Sequence, residues 1–181
     1  MENWYDILRE DHEGLRFQTG ALDAAVRIDV AEQDRRVVLS WIVRNLWPAL
    51  ELHLRKEEEV LFPALARLLG EEASALILLK QEHEQLRHSL RHLAELVQDL
   101  GYLDKEAVEL ASDGFLEVLE DHEAKEERLL LDVLEFNLNP AELKTLAQAF
   151  KEVARKAYDE EGWPKGGSQQ KTLLMRNENF S

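Results

Sequence analysis

One pattern occurs twice in this chain, and it constrains the fold more than any other feature. Asp11-His12-Glu13-Gly14-Leu15-Arg16 returns as Glu82-His83-Glu84-Gln85-Leu86-Arg87. About forty residues beyond the first His of each half comes a second segment. It reads His53-Leu54-Arg55-Lys56-Glu57-Glu58 in one half and His122-Glu123-Ala124-Lys125-Glu126-Glu127 in the other. Each half is therefore a lone His followed by His-x-x-Lys-Glu-Glu. Such internal repetition predicts two helix pairs facing each other across a pseudo-twofold axis.

Apolar residues recur at three- and four-residue spacing around every one of these segments, which is the helical period. Helices are expected over about 4–27, 32–69, 71–99 and 104–136, with Gly70 and Gly101 as stops. Pro48 and Pro63 fall inside the second span, so that helix is expected to kink or break locally. Asn139-Pro140-Ala141-Glu142 reads as an N-cap with proline at the first helical position, opening a fifth helix to about Tyr158. Four long helices on short loops imply an all-α, up-down-up-down four-helix bundle. The expected division is a bundle over 1–137, a C-terminal helix packed on it over 138–159, and a tail over 160–181. Trp163 and Leu173-Leu174-Met175 are expected to pin that tail to the bundle or, in a homodimer, to a second copy.

Residues four apart on a helix lie about 40° apart around the axis, so His53 shares a face with Glu57 and His122 with Glu126. The apolar stripes decide which face that is. They run Leu8, His12, Leu15; Leu50, His53, Glu57, Leu61; Leu79, His83, Leu86; and Leu119, His122, Glu126, Leu130. Four His and two Glu are thus predicted to point inward. One inward His is ordinarily a hydrogen-bonded core residue, and one His-x3-Glu pair is ordinarily a surface pairing. Six such residues on four core stripes, arranged as a repeat, fit neither account. His88 and His92 fall on the polar face and are read as solvated surface. Glu58 and Glu127 fall at helix edges, within reach of the site if they swing inward.

Burying two carboxylates is costly unless their charge is compensated, and a pair of metal ions compensates it. The chain has no cysteine, so disulfides, thiolate zinc sites, iron–sulfur clusters and Cys nucleophiles are excluded. His and carboxylate donors favour iron, manganese or zinc over softer ions. The net charge of −15 opposes nucleic-acid binding. Apolar runs are far short of the roughly 20 residues a bilayer requires. Met1-Glu2-Asn3-Trp4-Tyr5-Asp6 has neither the basic start nor the apolar stretch of a secretory signal, so the cytoplasm is the expected compartment.

The set His12, His53-x3-Glu57, His83 and His122-x3-Glu126, with the flank running from His53 to Pro63, resembles the hemerythrin-like HHE cation-binding family over about residues 1–137. The resemblance implies two iron ions bridged by oxide or hydroxide, with manganese or zinc less favoured. It implies that Glu57 and Glu126 bridge, that His12 and His53 serve one iron, and that His83 and His122 serve the other. Oxygen-carrying members have a further His one turn after the third-helix ligand, where this chain has Arg87. A guanidinium is a permanent cation and no substitute ligand. The implied site is more symmetric and more open, with water, Glu13 or Glu84 to fill a vacancy and Tyr5 as an outer neighbour or ligand.

The expected function is binding or sensing of a small ligand such as oxygen, nitric oxide or peroxide, with redox activity as an extension. The alternatives are a di-iron enzyme reducing peroxide or nitric oxide, an iron-donating protein, or a scaffold with structural zinc. The family's repair proteins carry a cysteine-bearing N-terminal segment, and the lack of cysteine counts against that role.

Overall fold

The computed structural model describes residues 3–99 and 103–159. Gly101 and the tail over 160–181, with Trp163 and Leu173-Leu174-Met175, lie outside the described residues. The elements are α1 (Trp4–Arg27), α2 (Glu32–Lys56), a π-helical turn (Glu57–Leu61), α3 (Phe62–Leu69), α4 (Ser74–Gln98), α5 (Lys105–Asn137) and α6 (Pro140–Asp159). No strand occurs among the described residues. The architecture is an all-α helical bundle in which α1 packs on α2 and α5, and α4 packs on the same two helices.

The second helix is broken locally, as its prolines lead one to expect, but at only one of them. Over 32–69 it forms two α-helices joined by the π turn, and it runs through Pro48 as continuous helix. The break belongs to Pro63. A proline has no N–H to donate four residues back and its ring crowds the carbonyl there. The turn before it widens instead, and the Phe62 N–H bonds the Glu57 carbonyl. In α5 the corresponding position is Asp132, and the helix passes without interruption. α3 then stops at Gly70, whose φ of 91° suits a residue without a side chain and whose N–H bonds the Ala66 carbonyl at 2.9 Å.

The core is divided in two. One cluster joins Trp4, Leu8, Leu61, Leu65, Leu76, Leu79, Leu130 and Leu134. The other joins Leu15, Leu22, Leu46, Leu50, Leu86, Leu90, Phe115 and Leu119. α1 passes from the first cluster to the second, α2 returns, α4 goes out again and α5 comes back. The positions crossed between the clusters on these four helices are those of His12, His53, Glu57, His83, His122 and Glu126.

α6 closes the end of the first cluster with Leu146, Ala147, Phe150, Val153 and Ala157. It starts as its sequence implies. Asn139 is the N-cap, and its side-chain oxygen accepts from the N–H groups of Ala141 and Glu142 at 2.9 and 3.1 Å. Glu142 in turn accepts from the Asn139 N–H at 2.8 Å.

Candidate metal centre

Between the two apolar clusters lies a dry polar layer. His12, Glu57, His122 and Glu126 are fully buried, and His53 and His83 are 2% and 1% exposed. Each is carried inward by the apolar stripe of its own helix, so the structure brings together all six residues singled out from the sequence. Their ligand-type atoms form two groups, His12–His53–Glu57–Glu126 and His83–His122–Glu57–Glu126, each with atoms within 4.8 Å of one another. Both carboxylates belong to both groups. The imidazoles are paired correspondingly, with ring centroids 4.9 Å apart for His12–His53 and for His83–His122.

The distances define a convergent donor set. His53 Nε2 is 3.1 Å and His83 Nε2 is 3.0 Å from the Glu57 carboxylate. His12 Nε2 lies 3.4 Å from Glu126, and His122 Nε2 lies 3.6 Å from both carboxylates. Many of these contacts lack hydrogen-bond geometry. His12 Nε2, His53 Nε2, His122 Nε2, Glu57 Oε1 and both Glu126 oxygens are buried without a hydrogen-bond partner. Buried polar atoms are ordinarily satisfied, and each orphan costs about 1–3 kcal/mol. Their convergence in two groups that share both carboxylates fits bound cations, which accept such lone pairs.

Three of the four outward imidazole nitrogens have partners, and His53 Nδ1 is buried without one. Glu58 accepts from His83 Nδ1 at 2.8 Å, Glu82 from His122 Nδ1 at 3.1 Å, and Glu127 lies 3.5 Å from His12 Nδ1. Such contacts fix which nitrogen faces inward. Arg87 donates to Glu58 at 2.7 and 3.1 Å and to Glu51 at 2.9 and 3.0 Å. It therefore holds a histidine partner in place rather than entering the site. Arg16, its counterpart in the repeat, donates to Glu127 and Glu123 at 2.7 Å each.

Several sequence expectations change here. Glu58 and Glu127 do sit at helix edges, but as acceptors for imidazoles. The side chains of Glu13 and Glu84 are 64% and 80% exposed, so neither fills a vacancy. Tyr5 packs edge-on against Trp4 within the first apolar cluster. His88 and His92 are exposed, as their place on the polar face leads one to expect. The roles of Glu82, Asp11, Lys56, Lys125 and Glu123 do not emerge from the sequence pattern. A signal for them exists, since Asp11 and Glu82 each precede a site His, and Lys56 and Lys125 each precede a site Glu.

Electrostatics separates the two carboxylates. Burial and the neighbouring Glu57 charge push Glu126 up to about 7. Burial also acts to raise Glu57, but His53, His122 and His83 hold it well below its ordinary value. His122 is raised to about 9: burial opposes this, and the Glu126 and Glu57 carboxylates outweigh it. The metal-free layer thus stores protons on its own donors, and these must leave when a cation enters.

The family model described as hemerythrin HHE cation binding domain matches residues 3–134. No curated protein and no solved structure matches the chain. No helix among the described residues is long and apolar enough to cross a membrane.

Proposed function

The chain belongs to the hemerythrin HHE cation-binding family, and from that premise we propose that it is a non-haem di-iron protein binding a small ligand such as oxygen, nitric oxide or peroxide. The observation that carries this reading is the set of orphaned donor atoms in a fully buried layer. His12 and His53 would hold one ion and His83 and His122 the other, with Glu57 and Glu126 available to both. The all-nitrogen-and-oxygen donor set suits iron, manganese or zinc over softer ions, and two shared carboxylates suit a pair of ions better than the four-ligand site of a structural zinc. When bound, the irons supply open coordination positions and redox capacity.

The protein's own residues do the rest. Apolar layers on both sides exclude water from the donors. Glu58, Glu82 and Glu127 orient three of the four imidazoles. Arg87 holds Glu58 and leaves the position beside His83 without a fifth imidazole.

The test is the optical spectrum of the iron-loaded chain during titration with azide, nitric oxide and peroxide. A new absorption band saturating at about one ligand per iron pair is expected, in keeping with a shared carboxylate-linked site. A spectrum indifferent to all three ligands overturns the reading. Sustained peroxide consumption above that of free iron would make the protein an enzyme instead of a binding protein.

A further inference from the structure

The two halves of the repeat differ by one methylene group at a position that touches a site histidine. In the second half, Lys125 pairs with Glu82, and Glu82 Oε2 also accepts from His122 Nδ1 at 3.1 Å. By the repeat, Lys56 corresponds to Lys125, Asp11 to Glu82 and His53 to His122. Lys56 Nζ does pair with Asp11, donating to its two oxygens at 2.8 and 2.6 Å. The shorter side chain ends about 1.5 Å earlier, one carbon–carbon bond. His53 Nδ1 is left buried without a partner.

We propose that the two metal positions are inequivalent, and that Asp11, where the other half has Glu82, makes the His12–His53 position the weaker one. This rests on the di-metal reading above. At the His83–His122 position both imidazoles are backed by carboxylates, at 2.8 and 3.1 Å. At the other position His12 has a long 3.5 Å hydrogen bond with Glu127, and His53 has no acceptor. A carboxylate behind a ligating imidazole fixes its ring and raises its basicity, and losing one typically costs about 10–100-fold in metal affinity. Asp11 and Glu82 are positioning residues, acting through the histidines.

The inference is tested by growing crystals of the full chain with one equivalent of cobalt(II) and measuring anomalous scattering at each position. The His83–His122 position is expected to hold about tenfold more metal than the other. Asp11→Glu adds the missing methylene and keeps the charge, and should bring the two occupancies within about threefold. Glu82→Asp removes the methylene from the other half and should also narrow the difference, by weakening the stronger position. Equal occupancy in the unaltered chain, or a ratio that neither variant changes, overturns the inequivalence and leaves the di-metal reading standing. No cobalt at either position overturns both.

Discussion

His83 Nδ1 and the Glu58 carboxylate lie 2.8 Å apart, while the inward nitrogen of the same ring lies 3.0 Å from Glu57. One imidazole thus spans consecutive glutamates, one facing the site and one facing Arg87. Burial opposes ionisation of Glu58, but His83 and Arg87 lower it to about 2, so it accepts as a carboxylate at neutral pH. Glu58→Ala should weaken metal binding about 10–100-fold with the helical content retained. Competition with a chelator measures it, and unchanged affinity contradicts an orienting role for Glu58.

Glu126 sits beside Glu57 in a dry layer with both of its oxygens unsatisfied. Burial and the Glu57 charge outweigh the nearby histidines and push Glu126 up to about 7, so its ionised form is disfavoured in the fold. An apolar side chain of similar size removes that cost above pH 7. Glu126→Met is therefore expected to raise the denaturation midpoint of the metal-free chain above pH 7 while removing the capacity to hold a metal pair. A variant that is both less stable and still binds two ions would contradict this account of the layer.

The pH dependence of the metal-free chain follows from groups shifted in opposite directions. Glu126 is raised from 4.5 to about 7, so its contribution to stability is present below pH 4.5 and lost as pH rises through 7. His122 is raised from 6.5 to about 9, so its contribution is present below pH 6.5 and lost as pH rises through 9. Glu58, lowered from 4.5 to about 2, contributes above pH 4.5 and loses that contribution as pH falls through 2. His53, held well below 6.5 by burial, acts in the opposite sense and gains stability as pH rises towards 6.5. Metal-free stability should therefore decline from about pH 6.5 towards pH 9, whereas metal affinity climbs over the same range as the donors lose protons. Denaturation midpoints with and without metal across that range check both directions.

The repeat and the apolar stripes made the four long helices and the six inward residues legible, because period and facing both follow from a 3.6-residue turn. The π turn was less visible. Pro63 announced a disturbance near Glu57, but not that the helix would widen by one residue and continue. The outer contacts were hidden for a different reason. Asp11, Glu82, Lys56 and Lys125 fall beside the ligand azimuth, where a sequence pattern reads only as a polar edge. Their roles depend on which neighbouring helix faces that edge, and on side-chain reach at the scale of a single bond.

α6 is held to the bundle mainly by apolar contact, with Phe150 fully buried in the cluster that includes Trp4 and Leu61. Phe150→Ala is expected to cost about 3–5 kcal/mol, in the range of large-to-small aromatic changes in a core. Hydrogen exchange should show loss of protection in α6 before the four long helices. Loss below about 1 kcal/mol would indicate that α6 contributes little to this end of the core.

The central claim is that Glu57 and Glu126, each shared by two pairs of histidines, hold two ions together. Iron content per chain, measured after reconstitution for the unaltered protein and for Glu57→Ala combined with Glu126→Ala, tests it most directly. About two irons per chain are expected in the first, and the pair should be lost in the second, since both links are removed. Full iron content in the double variant, or no iron in the unaltered chain, would contradict the claim.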